Sequence, residues 1–362
     1  MKRIGIDGSA LIKDQPTGVE VMTQGFIYSL FKCDKNNRYF IYTPRPLTGE
    51  LLQFPNVTNQ VGKAVKFWTQ TTLPLMARKD NLDIFWSPSN ILPRSLKCKT
   101  LATVHDLAFM KFPRCYRLKD WFLSWLTARR AVNATCVMTI SRQTKQDFIR
   151  YFGASPDKVK VIYCALPHTH KQASPNEIRR RYSLPDKFLL AVGRIEPRKN
   201  SINIMKAFAE VVQEMPDLHL VFVGPASGKY PRRVQMLADR AGLHSRVHLL
   251  GFVPLDDLFT MYQMAEVLVF PSLYEGFGIP ILEAWAARTP VLTSNTGATK
   301  EVAEDAAALV NPLSASDIAD KIRILLKDES VRAKYIQAGT SRLQQFSWRH
   351  SASRLKDILE NL

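Results

Sequence analysis

Residues 270–290 read FPSLYEGFGIPILEAWAARTP, and these side chains can be assigned chemical work before any fold is assumed. Leu268, Val269 and Phe270 end an apolar run of the length of a buried strand, and the pattern from Pro280 to Ala287 predicts a helix. Between them runs a loop with one acid, Glu275, and two glycines, Gly276 and Gly278. Pro280 fits the first helical turn, where its missing N–H is not needed and its fixed φ is already helical. The N–H groups around Phe277, Gly278 and Ile279 then lie at the positive end of a helix dipole, where anions bind and where glycine lets a phosphate approach the backbone. Glu283 follows Glu275 by eight residues, inside the first turns of that helix, where a carboxylate can accept two hydrogen bonds from a vicinal diol. An anion cradle with two diol readers is what a nucleotide diphosphate sugar demands. Taken singly, Glu275 also reads as a loop cap and Glu283 as a solvated helix residue.

A second stretch, FLLAVGRIEPRKN, delivers related chemistry upstream. The predicted strand Phe188 to Val192 ends on Gly193 and Arg194, with Lys199 five residues later and a helix starting near Ser201. Two cations at a strand end neutralise a diphosphate; surface salt bridging to Glu196 is the plainer reading. Arg198, between them, reads as solvated. In LATVHDLAF, His105 and Asp106 directly follow a buried strand and project from its carboxyl end, where open parallel sheets bind ligands. Asp106 orients that histidine or caps the next loop.

Together these segments carry a resemblance. E-G-F-G-I-P-I-L-E, embedded in PSLYEGFG and followed by EAWAARTPVLTSN, resembles the E-x7-E motif of retaining glycosyltransferases of the GT-B fold, glycosyltransferase family 4 or glycosyl transferases group 1. G-R-I-E-P-R-K-N resembles the family's G-R-x-x-x-x-K segment and stands in the expected order before it, and T-V-H-D-L resembles the segment whose histidine faces the transferred sugar. The resemblance implies an α/β chain of two Rossmann-like doubly wound domains facing a cleft. It further implies transfer of a hexose, mannose-like favoured, from a GDP- or UDP-sugar to an acceptor hydroxyl, with retention and by front-face substitution. His105, Glu275, Arg194 and Lys199 would be the catalytic set. Gly18, Gly193, Arg194, Lys199, Glu275, Gly276, Phe277, Gly278, Ile279 and Glu283 would hold the donor, Glu275 on sugar hydroxyls and Glu283 on the ribose. The lysine at position 300 departs from the family, which often has proline before the following glutamate, Glu301, where a helix is predicted to start.

The whole chain agrees with two such domains, since 362 residues exceed what one core usually supports. Residues 1–170 form the predicted acceptor-side domain, 171–345 the donor-binding domain, and 346–362 a terminal amphipathic helix that returns to the first domain. Strands are predicted at Lys2 to Asp7, Arg38 to Thr43, Asp83 to Ser87, Thr100 to His105, Val137 to Ser141, Lys158 to Tyr163, Leu218 to Gly224 and Arg246 to Phe252. A helix runs from Val19 to Phe31 after a loop, Gln15 to Gly18, and Ser141 caps another; Pro44 and Pro46 close the second strand and a less regular stretch follows. GIDGS has the wrong spacing for a dinucleotide fingerprint, which counts against a nicotinamide dehydrogenase. No D-x-D pair stands in a suitable loop, and His168 with His170, or His244 with His248, are too few for a metal, so neither cofactor nor metal is expected. Five scattered cysteines without a C-x-x-C pair read as buried reduced thiols in a cytoplasmic protein.

Charge points to a partner. The net charge is +18, and residues 1–170 hold 25 Lys/Arg against 11 Asp/Glu, while residues 171–362 hold 25 against 21. Nucleic acid is unlikely because neither zinc-finger spacing nor an RNA-binding aromatic signature accompanies the charge. An anionic leaflet fits better, at about 1 kcal/mol per basic residue near the surface, and no apolar run reaches the roughly 18 residues that span a bilayer. In FMKFPRCYRLKDWFLSW, Trp121, Phe122, Trp125 and Leu126 sit at helical spacing among Arg117, Lys119, Arg129 and Arg130. That pattern reads as a core helix with solvated charges or as an element that dips into the membrane interface to meet a lipid-linked glycan acceptor. Surface polysaccharide or O-antigen assembly on the inner face of the cytoplasmic membrane is the implied setting; a non-catalytic sugar-nucleotide scaffold and a nucleotide-sugar epimerase are the alternatives.

Overall fold

Apolar runs rich in Val, Ile, Leu and Phe, buried on both faces, are the signature of parallel strands covered by helices, and the chain uses them in two sheets. The computed structural model describes residues 1–13, 17–63, 67–166, 173–226 and 228–362. His168 and His170 and the start of the predicted 15–18 loop lie outside the described residues. The chain divides into two units, Met1–Pro167 with Phe346–Leu362, and His168–Gln345.

The first unit holds β1 (Arg3–Asp7), β2 (Arg38–Thr43), β3 (Val57–Val61), β4 (Ile84–Ser87), β5 (Lys99–Val104), β6 (Cys136–Thr139) and β7 (Val159–Val161) in one parallel sheet. Their order is β3-β2-β1-β4-β5-β6-β7. The order reverses between β1 and β4, so the loops after these two strands diverge and leave a crevice at their carboxyl ends. The less regular stretch before β4 contains β3 and the helix Thr72–Lys79; VTNQV is too polar to have signalled a strand. The helix Gly18–Cys33 buries Phe26, Ile27 and Leu30. The terminal helix Trp348–Asn361 packs on it, with Phe26 edge-on to Trp348 at 5.0 Å between centroids. Trp348 Nε1 donates to the Leu166 carbonyl at 2.8 Å and Ser351 Oγ to that of Tyr163 at 2.7 Å.

The second unit holds β8 (Lys187–Val192), β9 (Leu218–Val223), β10 (Val247–Leu249), β11 (Val267–Phe270), β12 (Val291–Ser294) and β13 (Ala308–Val310), all parallel. Their order, β10-β9-β8-β11-β12-β13, again reverses once, between β8 and β11. Leu189, Phe208, Leu220, Val267, Ile322 and Leu325 belong to the core that the helices close over this sheet. Glu301 does not open a helix, because the helix Gly297–Ala303 already begins four residues earlier, with Thr296 at its N-cap. The cysteines are free, but only Cys136 and Cys164 are buried; Cys33 is exposed, because it ends its helix on the outer side.

Candidate functional site

The reversal between β8 and β11 sets two loops side by side, one from each sequence motif. β8 ends on Gly193, whose φ of 126° is a conformation that side chains other than hydrogen avoid. Its N–H donates to Val223 at 2.8 Å, and a Cβ there would stand 3.0 Å from Lys199 Cε. The chain then makes a short turn, Pro197–Lys199, before the helix Ser201–Val211. The loop after β11 is tied to it by the Leu273 N–H, which donates to the Arg198 carbonyl at 2.8 Å, and by Asn200 Nδ2, which donates to the Pro271 carbonyl at 2.9 Å.

This bracing brings Lys199 and Glu275 together. Lys199 Nζ donates to Glu275 Oε1 at 2.5 Å, and Arg198 donates to Oε2 at 3.2 Å. Glu275 is only 8% exposed. Burial pushes its carboxyl up, and the charges of Lys199 and Arg198 more than reverse this, holding it below the ordinary range as an ionised acid. Arg198 is therefore not solvated: it lies half-buried between Glu196 and Glu275, because the tight 197–199 turn points both cations at the acid. Arg194 is the exposed member; its nearest acid is Glu196 at 4.0 Å, and it stays apart from the Lys199–Glu275 pair.

Gly276, Phe277 and Gly278 are buried and lead into the helix Ile279–Ala286. Gly278, the N-cap residue, takes φ 112°, so it is there by backbone necessity, and Pro280 occupies the first turn. Ile279 is partly buried at the first helical position. Glu283 is not solvated either. It is 7% exposed, and its Oε2 accepts from the Tyr262 hydroxyl at 2.7 Å. Burial raises its pKa, against the opposing bond from Tyr262. A small gap beside it is lined by Leu255, Leu258, Phe259, Tyr262 and Glu283.

The first unit has its own polar cluster at the β1/β4 reversal. Asp7, fully buried, accepts from Ser9 Oγ at 2.5 Å and from Asn90 Nδ2 at 3.1 Å, and burial raises its pKa. His105, at the end of β5, shares its Nε2 with the Pro88 carbonyl at 2.7 Å. An acceptor carbonyl assigns the proton to Nε2, leaving Nδ1 as a lone pair that is buried without a partner. Burial lowers the pKa of His105, against the opposing bond to Pro88. Asp106 caps the next helix by accepting from the Ala108 N–H at 3.0 Å. Gly18 opens its helix behind the N-cap residue Thr17, whose N–H donates to Glu20 at 2.8 Å; a Cβ on Gly18 would meet nothing within 4 Å.

A histidine whose folded pKa is depressed contributes stability above the ordinary histidine range that is lost as pH falls, since folding then excludes a proton. A His105→Gln variant is expected to be less pH-sensitive than the wild type between about pH 5 and 7, the range in which histidine changes charge. Denaturant titrations across that range read the difference, and parallel curves would refute it.

Tyr262 and Asn90 escaped the reading of the sequence, and Arg198 was read as solvated. The only available signal was the R-K pair at 198–199; Tyr262 lies in a helix, Leu255–Met264, with no motif of its own. His248 pairs with His219 rather than with His244, Nδ1 of His219 lying 3.0 Å from Nε2 of His248 across neighbouring strands. Among the described residues no group of three His, Cys, Asp or Glu side chains is placed to hold a metal, and no helix is long and apolar enough to cross a membrane.

Comparison with known proteins finds a family match in each half of the chain. Residues 175–342 match the family described as glycosyl transferases group 1, and residues 37–169 match glycosyltransferase family 4. The O-antigen chain mannosyltransferase B of Escherichia coli is 29% identical over 271 residues, 73% of this chain and 71% of that protein. The serotype-specific mannosyltransferase WbdA of Escherichia coli is 29% identical over 268 residues, 70% of this chain but 32% of its own length. The chain thus spans about a third of that second relative. The Anabaena HepE structure in complex with UDP-glucose superposes with a TM-score of 0.75 at 18% identity, covering 100% of both chains.

Proposed function

The chain belongs to the family 4, group 1 glycosyltransferases and has their GT-B fold, and from that membership we propose that it transfers a hexose from a nucleotide diphosphate sugar to a glycan acceptor hydroxyl with retention. One observation carries the donor assignment: the Lys199–Glu275–Arg198 cluster at the β8/β11 reversal, where a sheet of this order takes its ligand. As the bond from the anomeric carbon to phosphate breaks, negative charge grows on the leaving diphosphate. Lys199, Arg194 and the helix terminus at Gly278 oppose that growth, as preorganised charge does most effectively where water is scarce. The acceptor oxygen attacks from the face the diphosphate leaves, and its proton passes to the departing phosphate oxygen. These protein cations do the charge stabilisation, with no divalent metal required. Glu275 exchanges its present partners for sugar hydroxyls, Glu283 accepts from the ribose, and the neutral His105 offers Nδ1 to the transferred sugar.

GDP-mannose is the favoured donor, because two relatives are mannosyltransferases by name. A UDP-sugar is the competing donor, given the ligand of HepE. O-antigen or a related surface polysaccharide is the proposed pathway, with a lipid-linked acceptor at the inner face of the cytoplasmic membrane. The helix Leu118–Ala131 supports the membrane part. Trp121 and Trp125 pack on the core, while Leu118 and Phe122 are 83% and 52% exposed amid basic residues. The helix thus packs on the core through its two tryptophans and leaves Leu118 and Phe122 exposed beside them.

Titrating a panel of UDP- and GDP-sugars, GDP-mannose included, against wild type and an Arg194→Ala, Lys199→Ala double variant tests the donor assignment. One donor should bind selectively, and the double variant should lose about tenfold or more in affinity, as for removal of charge-assisted hydrogen bonds. Absence of any binding at millimolar concentration would overturn it.

A further inference from the structure

Two arginines of the first unit meet without an acid between them. Arg130, in the last turn of the helix Leu118–Ala131, and Arg94, in the loop after β4, line a cavity of about 300 Å³ together with Gln70, Ile91 and Leu126. Among the described residues neither guanidinium has an ion pair or hydrogen bond, and no carboxylate lines the cavity. Burial and then the like charge of Arg94 lower the pKa of Arg130. Folding thus holds two cations close together where mutual repulsion opposes it, which is stabilised when an anion enters. The cavity is well defined on its other side, because Gln70 Nε2 donates to the carbonyls of Ile91 and Leu92 at 3.2 and 3.4 Å and fixes that loop.

The approach to the cavity is apolar. Leu118, Phe122, Leu126 and Arg130 recur every four residues, so they share one face of their helix. Phe122 stacks on Trp125, with ring centroids 6.0 Å apart and planes at 24°. Along one helix, therefore, an exposed hydrocarbon stripe runs into an arginine-lined cavity. Inorganic phosphate alone would leave the stripe uncovered, and a neutral lipid would leave the arginines unpaired.

We propose that this cavity binds the phosphate of a single lipid phosphate, with its hydrocarbon chain lying along Leu118 and Phe122. Arginine suits the task because its planar fork meets two phosphate oxygens at once. The proposal rests on the reading of a lipid-linked acceptor and locates the phosphate-and-tail end of that acceptor on the chain.

The test is calorimetric titration with dodecyl phosphate below its micelle-forming concentration, beside inorganic phosphate, dodecyl maltoside and vesicles of anionic lipid. Dodecyl phosphate should bind one to one, about tenfold or more tighter than inorganic phosphate, since the tail adds buried apolar area. An Arg94→Gln, Arg130→Gln variant should lose about tenfold or more of that affinity, as expected for a fork-bound anion, while the Arg94→Lys, Arg130→Lys variant retains part of it. Phe122→Ser should weaken dodecyl phosphate and leave inorganic phosphate unchanged. Equal affinity for inorganic phosphate, equal affinity for dodecyl maltoside, an unaffected glutamine variant, or binding to vesicles without binding to the monomeric lipid would each overturn the proposal. Circular dichroism checks that the variants fold. Sugar-nucleotide titration of the same proteins separates the two readings: a wild type that binds dodecyl phosphate but no sugar nucleotide refutes the donor assignment alone.

Discussion

Glu275→Ala is expected to destabilise the second unit by about 3–5 kcal/mol, the usual cost of leaving a buried charge without its partner. The acid is 8% exposed, and its removal would take from Lys199 and Arg198, 13% and 18% exposed, the carboxylate they share, leaving Lys199 largely buried without that partner. Transfer should fall by a factor of about 10²–10³, as when a group that organises transition-state charge is lost. Lys199→Ala should separate the two effects. Arg198 still holds the carboxylate, so less stability is lost, while the loss of transfer remains. The acid's pKa is held below the ordinary carboxylate range, so its contribution is present above that range and lost as pH falls through the folded-state value. Denaturant titration of each variant with donor turnover reads both quantities. A Glu275→Ala protein as stable as the wild type would show that the ion cluster does not brace the two loops.

Glu283 is expected to behave in the opposite sense, because its environment opposes its charge. Burial raises its pKa, so the folded state holds the proton more tightly than the unfolded chain. Such a group contributes stability below the ordinary carboxylate range that is lost as pH rises through the folded-state pKa. Glu283→Gln keeps the shape and removes the ionisation, so the variant should become progressively more stable than the wild type as pH rises. Its donor affinity should nevertheless fall by about 1.5–3 kcal/mol, the worth of hydrogen bonds to a charged acceptor. Tyr262→Phe deletes the one hydroxyl that the carboxylate faces, and it should raise the Glu283 pKa further and weaken donor binding at mildly acidic pH. Unfolding curves against pH and the donor KM measure these outcomes. A glutamine variant with an unchanged donor KM would remove the ribose assignment. More stability with less function is the usual trade at a site built for a ligand.

Much of this site was legible in the chain because its chemistry is local. The glycine at 278, the proline two residues on and the acid at 283 are constrained by one strand-to-helix turn, and short-range backbone rules are written in short stretches. The GRIEPRKN segment is equally local, but the burial of its cations one by one was not legible. Arg198 was read as solvated and is half-buried, while Arg194 stands out at 53% exposure. Which of three neighbouring cations turns inward depends on a tight turn whose direction is set by hydrogen bonds with the loop after β11, whose Glu275 lies 76 residues beyond Lys199. VTNQV concealed β3 for a related reason: an edge strand is half exposed, so its residues need not be apolar.

The sequence by itself determined that this chain has two parallel α/β sheets, and that a group of cations precedes a glycine turn and a pair of acids. Periodicity, strand length and turn chemistry are properties of neighbouring residues, so they survive without the fold. Only the tertiary structure decided the charge states and partners of those residues. The Glu275 carboxyl is held below the ordinary range because Lys199 and Arg198 reach it from the turn after β8, whereas Glu283, eight positions on, meets Tyr262 and burial. Desolvation and Coulomb energy depend on distance in space and on the exclusion of water, and neither is carried by spacing along the chain.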